Sequence, residues 1–381
     1  MIISYGKQNI DSKDIKSVVK SLKGNFLTQG PLVKKFEQDL CKKLECKFTT
    51  VVSNASAALI ISGKILNWKK GDLIAVSPLT FVSSVNSIEH CLAKPLFVDI
   101  SLDDYCMDPK LLEKELLKDK SKKIKAAIIT DYGGQPAKWK EFHKIKKKYN
   151  IKLINDNCHA IGSSVNNNKG YAVKYADIST LSFHPVKAIT TGEGGALLTN
   201  DRKIYEKANL LRQHGIIRDN KSHWKYKVNI LGYNFRLPDI NCALGLSQLK
   251  KLNKFISKRK KIAKFYDKLF NDKLKFKIPK KIKNTENSYH LYPLLINFDK
   301  IKKTKDEIIK EFLKNKIKLQ VHYIPVNSQP YFRKKYKYNK INYQNMNFFF
   351  KRCISLPIYY DLKINQLSYI AKISKKIFNI Q

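Results

Sequence analysis

From residue 48 to residue 157 short unbroken apolar runs alternate with helical stretches, and this rhythm restricts the chain to few architectures. The runs are "FTTVVSN" (48–54), "DLIAVSP" (72–78), "PLFVDIS" (95–101), "KAAIITDY" (125–132) and "KLINDN" (152–157). Helical patterns fill the gaps, with a small-residue helix "NASAALIISGKIL" after the first run and others near 81–92, 109–118 and 138–148. Strands that lack polar alternation are buried on both faces, and strands that alternate with helices build an α/β layer around a mostly parallel sheet. Ahead of this layer, residues 11–23 place Ile15, Val18, Val19 and Leu22 at helical spacing behind a cap at Asp11 or Ser12. A second helix is expected from Val33 to Leu44. From about Leu246 the texture changes to a long lysine-rich helix, the segments "SYHLYPLLINF" and "KLQVHYIP", and a last helix near 364–378. The expected organisation is therefore a large α/β domain, 1–245, and a smaller α+β domain, 246–381.

Sheets of this kind gather ligands beyond the carboxyl ends of their strands. The residues found there are Asn54-Ala55-Ser56-Ala57, Ser77 to Phe81, Gln135, Asp156 with His159, then Ser182 and Lys187 within "LSFHPVKAITTGEGGALLTN" (181–200). A strand running into the small-residue helix leaves backbone N–H groups of Ala55, Ser56 and Ala57 free for an anion, although Ser and Asn are equally ordinary helix caps. Asp156 closes a buried strand, where a carboxylate needs a donor or a cation; a structural cap or ion pair satisfies that as well as a ligand does. His159 alone reads as a packed histidine, and Phe81 alone as core.

Lys187 is one of many. Only seven of the 74 Lys and Arg residues are arginine, and almost all the lysines lie in polar runs. Lys187 instead sits between Pro185-Val186 and Ala188-Ile189, where desolvation lowers the pKa of an amine and makes it nucleophilic. A lysine stem lying along the surface is the alternative. An amine able to bond to an aldehyde, a carboxylate to face a ring nitrogen, an anion pocket and an aromatic ring to stack are together the demands of pyridoxal phosphate.

The net charge of +43 raises nucleic acid as a partner. The excess is lysine spread along the chain, and arginine, which reads base edges and grips phosphates bidentately, is scarce. Solvation of surface faces accounts for it, and no nucleic acid is expected. The seven cysteines form no CxxC pair, which suits reduced thiols in the cytoplasm. With no basic-then-apolar leader and no apolar window approaching eighteen residues, a soluble protein away from membranes is expected.

"DNCHAIGS", "ADISTLSFHPVKAITTGEGGALLTN", "GYNFRLPDINCALGLSQL" and "NFLTQGPLVKKFE" together resemble the DegT/DnrJ/EryC1/StrS family of sugar aminotransferases, nearly end to end. The resemblance implies a fold-type I pyridoxal phosphate enzyme, aspartate aminotransferase-like, working as a homodimer with shared active sites. It implies that Lys187 carries the cofactor, that Asp156 faces its pyridine nitrogen, that His159 lies near its phenolic oxygen and that Phe81 stacks on its ring. Ala55, Ser56 and Ala57 match the phosphate turn, and Ser182 a hydroxyl near phosphate or substrate. Asn234 matches an asparagine that reaches the phosphate site of the neighbouring subunit, and Arg236 either assists there or braces the dimer. Relatives that dehydrate rather than transaminate carry His at the place of Lys187, so transamination is implied.

"SFHPVKAITTGEGGA", "GYNFRLPDINCALGLSQLKK" and "LQVHYIP" resemble in particular the members that aminate C4 of a UDP-linked 4-keto-6-deoxy-N-acetylhexosamine in pseudaminic acid biosynthesis, with glutamate as donor and 2-oxoglutarate as product. There the sugar nucleotide is approached by residues matching Tyr5, Asn25, Phe26, Leu27, Thr28, Ala55, Ser182, Asn234, Val321, His322, Tyr323 and Ile324. Another nucleotide-sugar aminotransferase or a dehydratase of the same family is the alternative.

Overall fold

A computed structural model describes residues 2–219, 221–222, 224–336 and 342–380. Its central sheet has seven strands: β1 (Phe48–Val52), β2 (Leu73–Val76), β3 (Lys94–Phe97), β4 (Ile124–Thr130), β5 (Lys152–Asp156), then, past a short β6 (Ser164–Val165), β7 (Ile178–Ser182) and β8 (Gly195–Thr199). The order across the sheet is β1-β8-β7-β5-β4-β2-β3. Strands β3, β2, β4, β5 and β7 pair in parallel, and β8 runs antiparallel between β7 and β1. Every apolar run expected to be a strand is one, and the α/β reading holds. The residues of β4, β5 and β8 are almost all buried, as a sheet covered on both faces requires.

Four helices lead up to and into this layer: α1 (Ser12–Leu22), α2 (Pro31–Leu44), α3 (Ala55–Ile65) and α4 (Val82–His90). In α1, Asp11 caps the start by accepting from the Lys13 and Asp14 N–H groups. The face turned inward is nevertheless polar. Buried Asp14 pairs with Lys251 and accepts from Gln248 Nε2, and Ser17 donates to the Ala243 carbonyl. Ile15, Val19 and Leu22 on the opposite side are exposed. Hydrogen bonding to the long helix Asp239–Leu269 thus decides how α1 rotates, against its apolar stripe.

That 31-residue helix crosses residues 245 and 246 without a break. Gly245 lies in its interior because a Cβ there would meet the Phe36 ring at 2.6 Å. Beyond it, Tyr292–Ile296 pairs antiparallel with Phe276–Lys277 and Cys353–Leu356, and Lys305–Lys314 and Ile364–Phe378 pack around them. Tyr266, Phe270, Tyr292, Phe312 and Phe378 form the centre of this second core. The chain's beginning joins it: the Ile3 N–H donates to the Lys316 carbonyl, and the Tyr5 carbonyl accepts from Ile358 N–H. Segment 320–324 is not a strand; only Gln320 bridges, with Ser355. The Tyr132 hydroxyl, just past β4, donates to the His322 carbonyl and ties this segment to the central sheet.

Candidate active site

Asp156 is the last residue of β5 and is buried. Its Oδ2 accepts from Ser84 Oγ at 2.6 Å and its Oδ1 from the Cys158 N–H at 3.3 Å. Ser84 arrives on α4, the helix opened by Phe81, so one loop after β2 delivers both the support of the carboxylate and an aromatic ring. Thr80 Oγ1 extends this polar cluster to Ser84 Oγ at 3.2 Å and to Thr130 Oγ1 at 2.8 Å. Phe81 is 53% exposed, its ring tilted against that of Tyr323 at 5.7 Å.

Lys187 lies in the turn between β7 and β8. Its N–H donates to the His184 carbonyl at 2.9 Å, and the turn closes through Phe183, which donates to the Gly194 carbonyl and accepts from the Thr191 N–H. Gly192 takes φ +80, a left-handed conformation that favours glycine. Desolvation holds the Lys187 pKa below the usual lysine value. Asp156 pulls it back upward, while the Arg259 guanidinium pushes the same way as desolvation. Cys158 supplies no negative charge at neutral pH, because burial drives its thiol far above the usual range. Arg259, itself 3% exposed, donates to the carbonyls of Tyr289, His290 and Ile358.

At the start of α3, Asn54 Oδ1 accepts from the Ala57 N–H at 2.9 Å. The N–H groups of Ala55 and Ser56 have no intrahelical partner and point outward at the positive end of the helix. Gly195 makes this approach possible: a Cβ there would sit 2.6 Å from the Ala55 nitrogen.

The opposite wall comes from the C-terminal third. His159 Nδ1 accepts from the Gly133 N–H at 3.3 Å, which leaves Nε2 protonated toward the Tyr323 hydroxyl at 3.0 Å. The His290 ring lies 4.4 Å from that of His159, and its buried Nδ1 has no protein partner. His322 binds Ser355 Oγ through Nδ1 at 2.9 Å. Desolvation first, then the Lys187 charge, keeps all three histidines neutral: His159 and His290 fall well below the usual value and His322 to about 3.

These side chains enclose a cavity of about 480 Å³. Of the residues singled out in the sequence, Tyr5, Ala55, Ser56, Phe81, Asp156, His159, Ser182, Lys187, His322 and Tyr323 line it. Val321 and Ile324 line an adjoining cavity of about 380 Å³ that shares Tyr5 and Phe81. Ala57 is buried inside α3. Asn25, Phe26, Leu27 and Thr28 form an exposed loop between α1 and α2, and exposed Asn234 bridges Gln213; none of these, nor Arg236, lines the cavity. Ser84, Glu193 and His290 were not singled out. Ser84 follows Phe81 at the start of a predicted helix and could have been noticed. His290 carries no local signal, since only the tertiary fold brings it beside His159.

The donor set suits pyridoxal phosphate: a dehydrated amine, an ionisable carboxylate across the cavity, two free N–H groups at a helix start, and an orphaned buried His290 nitrogen. Comparison with known proteins agrees. The chain is 38% identical over 369 residues, 97% of this chain and 96% of the relative, to the UDP-4-amino-4,6-dideoxy-N-acetyl-beta-L-altrosamine transaminase of Campylobacter jejuni. It is 33% identical to the protein of that name from Helicobacter pylori, over 98% of this chain and 97% of the relative. Among solved structures, Helicobacter pylori PseC, an aminotransferase involved in the biosynthesis of pseudoaminic acid, superposes with a TM-score of 0.91 at 32% identity over the whole of both chains. The PLP-form of the putative sugar aminotransferase Spr1654 from Streptococcus pneumoniae superposes with a TM-score of 0.87 at 27% identity, over 99% of this chain and 100% of that one. No helix among the described residues is long and apolar enough to cross a membrane. Residues 8–374 match the family described as DegT/DnrJ/EryC1/StrS aminotransferases, and the chain belongs to that family.

Proposed function

We propose that this protein is a pyridoxal phosphate-dependent aminotransferase that moves an amino group from glutamate to C4 of a UDP-linked 4-keto-6-deoxy-N-acetylhexosamine, the altrosamine-forming step named for its relatives. One observation carries the reading: a desolvated Lys187 amine and the Asp156 carboxylate face one cavity that also opens onto the free N–H groups of α3.

When bound, pyridoxal phosphate supplies an electron-withdrawing ring that stabilises negative charge on the carbon next to the donor nitrogen. The chain's residues do the rest. Ala55 and Ser56 N–H groups hold the phosphate against the α3 dipole, with Ser182 beside them. Phe81, which lines the cavity, would offer its ring to the cofactor. Asp156, fixed by Ser84 and the Cys158 N–H, keeps the ring nitrogen protonated by its charge. Lys187 Nζ, its pKa lowered by desolvation, is the base placed to take the proton from the α-carbon of the donor and hold it at Nζ. Neutral His159 offers a hydrogen bond without a competing positive charge.

The same reading takes 1–245 as the cofactor-holding unit and 246–381 as the unit that closes over it, and it takes a homodimer as the working form. The exposed stripe Ile15, Val19 and Leu22, continued by Phe26 and Leu27, is the apolar surface a second copy would cover. Asn234 then serves the site of that second copy.

The test is mass analysis of products after incubation with glutamate and a panel of UDP- and dTDP-linked 4-keto sugars. An amino sugar on the UDP-linked N-acetyl substrate with equimolar 2-oxoglutarate is expected. Loss of a hydroxyl without gain of an amine would overturn the assignment in favour of dehydration.

A further inference from the structure

Outside the residues that line the cavity, two thiols meet where α2 ends. We propose that Cys41 and Cys46 are a peroxide-sensitive thiol pair that closes reversibly to a disulfide, a modification site separate from the transamination chemistry.

The turn that ends α2 brings them together. Glu45 takes a left-handed conformation (φ 52, ψ 47), and the Cys46 N–H returns to the Cys41 carbonyl at 3.2 Å. In this kind of helix ending the residue two past the last helical position bonds back to the residue three before that position, and their side chains pack together. In most proteins that contact is hydrophobic; here both side chains are thiols. Glu45 is pinned in the turn because its Oε2 accepts from the Lys169 and Gly170 N–H groups at 3.1 and 3.4 Å. A disulfide spans Cα separations of about 4.4–6.8 Å, and the direct backbone hydrogen bond holds these two residues close.

Both sulfurs converge on one hydroxyl. Thr49 Oγ1 lies 3.2 Å from Cys41 Sγ and 3.4 Å from Cys46 Sγ. Once Cys41 ionises, the Thr49 hydroxyl and the Cys46 thiol can both donate to the thiolate. The hydrogen bond from Cys46 is the main cause that brings the Cys41 pKa down to about 7. The other thiols are driven the opposite way by burial, Cys91 to about 11 and Cys353 to about 12, with Cys106, Cys158 and Cys242 raised as well. Cys41 and Cys46 are also only partly buried, so a small oxidant reaches them.

The chemistry balances with hydrogen peroxide as oxidant. The Cys41 thiolate attacks one peroxide oxygen, the O–O bond breaks, and hydroxide leaves as water after taking a proton; Cys41 is oxidised to the sulfenic acid. The Cys46 sulfur then attacks the Cys41 sulfur, the S–O bond breaks, and the leaving hydroxide takes the Cys46 proton. Two thiols and one peroxide become one disulfide and two waters.

The experiment treats the full-length holoenzyme with hydrogen peroxide and follows it by intact mass and peptide mapping. A loss of about 2 Da, confined to a cross-link between Cys41 and Cys46 and reversed by dithiothreitol, is expected. The rate should fall as pH drops below about 7, following the Cys41 thiolate. Cys46→Ser should stop at a Cys41 sulfenic acid that a cyclic 1,3-diketone traps, and Cys41→Ser should give neither product. The proposal is overturned if Cys41 and Cys46 stay alkylatable while Cys158 or a buried cysteine oxidises first. Cross-linking of Cys46 at the parent rate in Cys41→Ser, through another cysteine, would overturn it equally.

Discussion

Two carboxylates stand at the ends of the neighbouring strands β4 and β5, and their surroundings differ in kind. Asp131, just past β4, receives five donors: Ala137 N–H and Trp139 Nε1 on Oδ1, and Asn155 Nδ2, Asn157 Nδ2 and Tyr171 Oη on Oδ2. Asp156 receives two and turns its remaining capacity to the cavity. Both are buried strand-end aspartates, and neither looks more functional than the other in isolation. A carboxylate saturated by its own chain is structural; one left short of partners beside a dehydrated amine is available to a ligand.

Replacing the amine tests this contrast most severely. Lys187→Ala should lower turnover by a factor on the order of 10⁴ or more in a steady-state assay, and near-parental turnover would leave Asp156 without its partner in the chemistry. Asp156→Asn comes next. Turnover should fall by roughly 10²–10⁴, with a melting temperature close to the parent's, since few contacts depend on that charge. Asp131→Asn should do the reverse. Its amide nitrogen would face at least two buried donors, which destabilises the fold by about 2–4 kcal/mol in denaturant titrations and leaves turnover of the folded fraction nearly intact. Should Asp131→Asn abolish turnover at full stability, the division between structural and functional carboxylate would fail.

Smaller effects sharpen the same contrast. Ser84→Ala removes one hydrogen bond to a charged oxygen and should cost about tenfold in kcat. For Asp131 the pH dependence carries a definite sign. Burial pushes its pKa up to about 6, above the ordinary 3.8 of an unfolded aspartate. Between these values the folded state binds more protons than the unfolded one, so this group's contribution is fully present below pH 3.8 and is lost as pH rises through 6. Thermal melts between pH 4 and 6 should show that slope in the parent and lose it in Asp131→Asn.

Much of the site was legible because its residues lie just after strands that could be read from their apolar runs. Lys187, Asp156, Ser56 and Phe81 each stood at a strand end, and the sheet brings strand ends to one edge whatever the details. His290 and Arg259 were not legible. Each acts through neighbours far away in the chain, His290 beside the His159 ring and Arg259 across the carbonyls of Tyr289, His290 and Ile358. The α1 helix shows the limit of periodicity. Its spacing indicated a helix, and its capping residue was among those expected, but the apolar stripe lies exposed because Asp14 and Ser17 find partners on a helix over two hundred residues on.

Short-range order was therefore settled by the amino acids in place: which runs are strands, where helices start, and that one lysine sits among apolar neighbours while almost all the others lie in polar runs. Those properties depend on adjacent residues and survive being read locally. The tertiary structure alone decided which of two buried aspartates stays unsatisfied, which histidines become neutral by losing water, and which face of α1 turns inward. Each of these depends on desolvation and on partners supplied by distant segments, and both exist only once the chain has closed on itself.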